Sequence, residues 1–200
     1  GKPFKTREGG VMRLENLIRD IDEEMYHKIM DNHEIDPEEA RATAKIVGLS
    51  AIKYGDLSNQ ASKDYVFDLD RFTSFEGNTG PYILYTIVRI KSILNKYQQA
   101  GNSLEGISIH KAANDSEKAL MLEVSRFNSV MENAFEEIAP HKICSYIYDL
   151  ANAFNRFYET KILSEENEEQ KASWIALLRL TRDVLEKCID VLGFSAPERM

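Results

Sequence analysis

Apolar residues return every three or four positions through most of this chain, and that period restricts it to helices packed by one face. The first stripe runs Leu14, Leu17, Ile18, Ile21, Met25 and Ile29, with a strongly acidic opposite face. Asp36-Pro37-Glu38-Glu39 then supplies a capping aspartate, a proline at the first helical position and a glutamate at the third, which predicts a second helix to about Tyr54-Gly55. Beyond the break at Asn78-Thr79-Gly80-Pro81, a helix is predicted from Tyr82 to about Gln99. Three longer helices follow: about Ser116 to Ile138, Pro140 to the region of Ile162, and about Gln170 to Leu192, with Gly193 as a left-handed cap. The stretch from Asp64 to Phe75 alternates and carries aromatics, so a short strand and an extended connector both fit it, and Gly101 through Asn114 reads as a polar loop. The expected fold is all-α: an antiparallel helical bundle preceded by an N-terminal helical connector.

Such a chain of 200 residues, 43% of them hydrophobic, can bury a core without covalent staples. Two cysteines, Cys144 and Cys188, are too few for a disulfide framework, and no leader or long apolar run marks secretion or a membrane span, so a cytoplasmic protein is expected. The net charge of −8 weighs against a nucleic-acid partner, because Lys and Arg supply most of the affinity for phosphate. Its distribution softens that objection: residues 11–39 carry three basic residues against ten acidic ones, whereas residues 40–200 carry nineteen against twenty-two. The long second part is nearly balanced and leaves room for a local basic face.

Four places carry chemistry. Lys2-Pro3-Phe4-Lys5-Thr6-Arg7-Glu8-Gly9-Gly10 gathers three cations, a hydroxyl and two glycines just ahead of a helix, a composition suited to phosphoryl oxygens. A flexible basic tail has the same composition. Tyr82, Tyr85 and Arg89 share one helix face, capped by Asn78 or Thr79; half-buried core tyrosines are the plainer reading of the first two. In Asn152-Ala153-Phe154-Asn155-Arg156-Phe157-Tyr158, helical spacing puts Ile147, Leu150, Ala151, Phe154 and Phe157 near a core face and leaves Asn155 and Tyr158 flanking it. An exposed tyrosine beside an arginine suits an unpaired base, since stacking is worth roughly 1–3 kcal/mol. The fourth place is the ending Leu192-Gly193-Phe194 through Pro197-Glu198-Arg199-Met200, otherwise a frayed tail after a capped helix.

These four segments, in this order, resemble arginyl-tRNA synthetases. Lys-Pro-Phe-Lys-Thr-Arg-x-Gly-Gly followed by Val11-Met12-Arg13-Leu14 is similar to that family's form of the class I signature loop; Phe75 to Tyr85 with Arg89 is similar to its junction and the start of its DALR anticodon-binding domain. The Asn-x-Phe-x-x-Phe-Tyr stretch and the Pro-x-Arg-Met ending match as well, and the ending looks like a natural C-terminus. The resemblance implies residues 1–76 as the end of a catalytic domain and residues 77–200 as the anticodon-binding domain. It implies ATP-phosphate work for Lys5, Thr6 and Arg7, with Phe4, Gly9 and Gly10 in the same loop, only in an intact enzyme that also uses Mg2+. It implies contacts to tRNA(Arg) from Tyr82, Tyr85, Arg89, Asn155, Tyr158, Arg199 and Met200. No His-x-Gly-His segment is present, so this stretch alone is expected to bind tRNA without catalysing ligation and without its own cofactor. DNA and membranes are not expected as partners, and a monomer is.

Other residues carry less. His27, His33, His110, His141, Cys144 and Cys188 show no close-spaced ligand pair, so no metal site is expected. Trp174 reads as core, and the acidic face from Asp20 to Glu39 as a solvated surface that repels phosphate. Two alternatives differ in kind: a helical protein-interaction scaffold, and the C-domain of another class I synthetase such as a cysteinyl one. The signature loop and the ending speak against the second.

Overall fold

The computed structural model of the protein describes residues 13–32 and 35–200, and all regular structure among them is helical. Helix α1 spans Leu14–Asn32 and α2 Pro37–Leu57. The carboxylate of Asp36 accepts the Glu38 amide at 2.9 Å and the Glu39 amide at 3.4 Å, the cap its sequence predicts. α1 lies antiparallel on α2: Gly48 meets Ile21 and Asp22, while Arg41, nearer the start of α2, pairs with Glu23 at 2.6 Å and stacks on Tyr26 further along α1.

Between residues 58 and 79 the chain forms neither a strand nor a plain extended connector. It makes one short helix, α3 (Leu69–Phe72), because Asp68 accepts the Arg71 amide and the aromatics turn on one another. Phe67 meets Phe72 edge-on at 4.9 Å, Tyr65 stacks over Phe72 at 6.2 Å, and Phe72 lies flat against Gly55 of α2. An alternating aromatic run with no partner strand satisfies itself this way.

α4 (Gly80–Gln99) starts where Thr79 Oγ1 accepts the Tyr82 amide at 3.1 Å. The predicted helix from Ser116 to Ile138 is instead two: α5 (Asp115–Ser125) and α6 (Phe127–Glu136), broken at Arg126. The break has a tertiary cause. Tyr146 of α7 (Pro140–Tyr158) donates its hydroxyl to the Glu123 carbonyl at 2.8 Å, and Ser125 donates its own to the Leu122 carbonyl at 2.7 Å, so the ladder is interrupted there. α7 ends at Tyr158 rather than near Ile162, because Lys161 turns left-handed at φ 53° into a 3-10 turn over Ile162–Ser164. α8 runs Glu168–Leu192, capped by Asn167 at its start and by Gly193 at φ 85°.

The core lies where α4, α7 and α8 meet. Ile83, Leu84, Ile87 and Ile90 face Ile147, Leu150, Phe154 and Phe157, with Ile175, Leu178, Leu185 and Ile189 closing the third side, all fully buried or nearly so. Each such side chain contributes about 1.5–3 kcal/mol by leaving water. Trp174 belongs to this core, edge-on to Phe157 at 5.6 Å. Tyr54 of α2 ties three elements together: its buried hydroxyl reaches both Asn78, just ahead of α4, and the Cys144 carbonyl near the start of α7. Burial pushes that phenol far above its ordinary pKa.

Candidate nucleic-acid interface

The buried stripes of α4 and α7 fix which side chains stand beside the seam between these helices. With Ile83, Leu84 and Ile87 turned inward, Tyr82, Tyr85 and Arg89 come out along one edge of α4; with Ile147, Phe154 and Phe157 turned inward, Asn152, Asn155 and Tyr158 come out along the adjoining edge of α7. The two rows meet. Tyr82 donates its hydroxyl to Asn152 Oδ1 at 2.8 Å and accepts from Asn155 Nδ2 at 2.7 Å. Asn155 Oδ1 accepts from Arg89 Nη1 at 3.0 Å, and Arg89 Nη2 donates to the Tyr85 hydroxyl at 2.9 Å.

The Arg89 guanidinium also lies against two aromatic faces, 4.7 Å from the ring centroid of Tyr85 and 4.9 Å from that of Tyr158. Tyr85 is 39% exposed and Tyr158 41%, so each ring keeps surface for a further planar group. The phenol of Tyr82 is different. It is half-buried, meets Tyr148 edge-on at 5.8 Å, and has its pKa raised chiefly by burial, against the opposing hydrogen bond from Asn155. No carboxylate among the described residues pairs with Arg89, whereas Arg41, Arg126, Arg182 and Arg199 each hold one. A cation fixed between two tyrosines, with no counter-ion among the described residues, can serve a stacked base and a nearby phosphate together.

Five of the seven predicted tRNA-contact residues are thus brought together: Tyr82, Tyr85, Arg89, Asn155 and Tyr158. Arg199 and Met200 are held elsewhere. The Arg199 fork engages Glu39 in the first turn of α2, holding that carboxylate below its ordinary pKa, and Met200 packs against the core. The preceding residues are anchored too: Phe194 is buried, and Lys91 of α4 pairs with Glu198 at 2.9 Å and Glu186 at 3.1 Å. The ending is a strap over α2, α4 and α8. Phe4, Lys5, Thr6, Arg7, Gly9 and Gly10 lie outside the described residues.

Sequence reasoning passed over Asn152 as a functional position. Its signal was its place three residues before Asn155 on the same helical face; what it could not reveal was a tyrosine seventy residues away supplying the proton. Cys144 and Cys188 are buried thiols whose pKa values burial pushes up to about 12, which keeps them neutral and inert. Among the described residues no three His, Cys, Asp or Glu side chains converge on a point that could hold a metal ion, and no helix is long and apolar enough to cross a membrane.

The family model of the DALR anticodon binding domain matches residues 83–200 of this chain. The chain belongs to the DALR anticodon-binding family. Residues 1–69 match a second family, the catalytic domain of class I tRNA synthetases of the R type, so a stretch of such a domain precedes the DALR match. Among curated relatives, the chain is 65% identical over its whole length to the arginine–tRNA ligase of Agathobacter rectalis and 57% identical to that of Alkaliphilus oremlandii. It spans 35% and 34% of their lengths, about a third. Among solved structures, the arginyl-tRNA synthetase of Thermus thermophilus aligns with 96% of the chain at a TM-score of 0.84 and 28% identity, using 33% of its own length. That of Plasmodium falciparum aligns with 95% at a TM-score of 0.83 and 29% identity, using 34% of its own length. These likenesses bear out the all-helical DALR fold and the arginyl resemblance. They give no support to an interaction scaffold or a cysteinyl C-domain.

Proposed function

We propose that this chain is the part of an arginine–tRNA ligase that holds the anticodon loop of tRNA(Arg), and that Tyr85, Arg89 and Tyr158 make the contact. The observation carrying this reading is the Arg89 guanidinium seated against two part-exposed tyrosine rings with no carboxylate partner among the described residues. The DALR family supports an anticodon role, and the ligases that match supply the amino acid and the tRNA. On the acidic helix α1, Glu23 and Glu24 are spent on Arg41 and Lys28.

In this reading residues 1–76 close the catalytic domain and residues 77–200 form the anticodon-binding domain; the matches over 1–69 and 83–200 leave the junction between them. Lys5, Thr6 and Arg7, with Phe4, Gly9 and Gly10 shaping the loop, would face the phosphates of ATP, and Mg2+ would accompany the nucleotide in the complete ligase. The chain binds tRNA as a monomer in the cytoplasm and does not ligate by itself. Arg199 and Met200 reach tRNA only if the strap that holds them shifts.

The test is affinity for arginine tRNA across a salt series. Tyr158→Ala should weaken binding by about five- to a hundredfold while leaving the salt slope unchanged, because stacking releases no counter-ions. Arg89→Ala should weaken binding and also lower the slope. Unchanged affinity in both variants would rule the site out.

A further inference from the structure

The tyrosine, asparagine and arginine side chains at the α4–α7 seam form a chain of hydrogen bonds with a single direction. Arginine can only donate, so Asn155 must present its oxygen to Arg89 and its amide nitrogen to Tyr82. Tyr82 accepts that proton and has one of its own to give, which goes to Asn152 Oδ1. Arg89 to Asn155 to Tyr82 to Asn152 is therefore one relay with no amide free to flip. The oxygen of Asn155 and the proton of Tyr82 are committed before any ligand arrives.

From this we infer that Asn155 and Tyr82, with Asn152 behind them, are positioning residues: they act on tRNA through Arg89, by fixing its guanidinium between Tyr85 and Tyr158, and make no base contact of their own. The inference rests on the tRNA-binding reading of this face. Three features support it beyond the hydrogen bonds. Among the described residues no carboxylate orients Arg89, so the amide of Asn155 and the Tyr85 hydroxyl set its plane there. Tyr82 is wedged edge-on against Tyr148 with its hydroxyl saturated. Asp149, Glu159 and Glu123 outnumber Arg156 in the groove beside Asn152 and Asn155, and its net negative charge discourages a phosphate from settling there.

Pre-orientation has a defined consequence. An arginine on a flexible stem loses rotamer freedom when it binds, and one already held by an amide loses less, so removing the holder weakens binding although the holder touches nothing. A group that acts through another also stops mattering once that other is gone.

The experiment is a mutant cycle on the 200-residue chain with arginine tRNA, joined to nitrogen-15 NMR of the Arg89 side chain in the free protein. Asn155→Ala should weaken tRNA binding roughly three- to tenfold in the parent chain and less than about twofold in an Arg89→Ala background. Tyr82→Phe, which keeps the ring and its packing, should show the same dependence at smaller amplitude. In the free protein the Arg89 guanidinium protons should be resolved by hindered rotation, and Asn155→Ala should collapse them. Equal loss in both backgrounds, or an Arg89 spectrum indifferent to Asn155→Ala, would overturn the inference while leaving the tRNA site in place. If Arg89→Ala and Tyr158→Ala are themselves silent, the functional reading falls and the inference with it.

Discussion

Gly80→Ala is a substitution on which local and tertiary physics disagree. Alanine is the better helix former by about 1 kcal/mol, so in isolation the change favours α4. In the fold, a Cβ on residue 80 would stand 2.2 Å from the Ser50 carbonyl oxygen and 2.5 Å from its carbon, about 1 Å inside ordinary contact at 3.4 Å. The obstacle is backbone, and Ser50 is itself fully buried, its hydroxyl donated to the Val47 carbonyl. No side chain can swing away, so α2 and α4 must part at the point where Val47, Ala51, Ile83 and Leu84 are packed. Overpacking of this kind costs about 2–3 kcal/mol, which in a chain this size lowers Tm by roughly 4–12 °C. Thermal unfolding followed by circular dichroism at the helical band reads it directly. Gly55→Ala is the internal comparison: its Cβ would meet the Phe72 ring at 2.4 Å, but Phe72 rides on the four-residue α3, which can shift, so about 1 kcal/mol is expected. A Gly80→Ala chain as stable as the parent would mean that the two helices do not cross backbone to backbone, and the reasoning would fail.

Two further outcomes follow from single residues. Ile138 sits at φ 51° with its side chain 88% exposed, a β-branched residue in left-handed backbone that gains nothing from packing, so Ile138→Gly should raise stability by about 0.5–1 kcal/mol in the same melt. The thiols of Cys144 and Cys188 ordinarily titrate near 9.0 and are raised by burial to about 12 in the fold; the unfolded chain therefore binds fewer protons between those values, and stability should fall as pH rises from about 9 to about 12. Below that window both thiols should resist a disulfide reagent until the chain unfolds; rapid reaction of the native protein would contradict their placement.

Most of the helices were legible because their signals are local. Asp36 with Pro37, Thr79 with Pro81, and Gly193 stop or start helices through bonds within four residues of themselves. The break at Arg126 was not legible, because its cause is the hydroxyl of Tyr146, twenty-three residues beyond the Glu123 carbonyl it reaches, and no glycine or proline marks it. Nor was α3, where the aromatic alternation that suggests a strand is spent on Phe67, Tyr65 and Phe72 meeting one another. For the site, helical spacing put Tyr82, Tyr85 and Arg89 on one edge and Asn155 and Tyr158 on another, but only the packing of α4 on α7 shows that they form one cluster. The same holds for Arg199, whose partner Glu39 lies 160 positions away in the sequence.

The central claim is that an anticodon base stacks on the rings flanking Arg89. The most direct measurement places the fluorescent base 2-aminopurine at each position of the anticodon loop in an arginine tRNA stem-loop and titrates it with the chain. The account predicts quenching at one or more loop positions by the parent chain, and loss of that quenching with Tyr158→Ala while the circular dichroism spectrum stays the same. Binding without quenching at any position, or quenching indifferent to Tyr158→Ala, would contradict it.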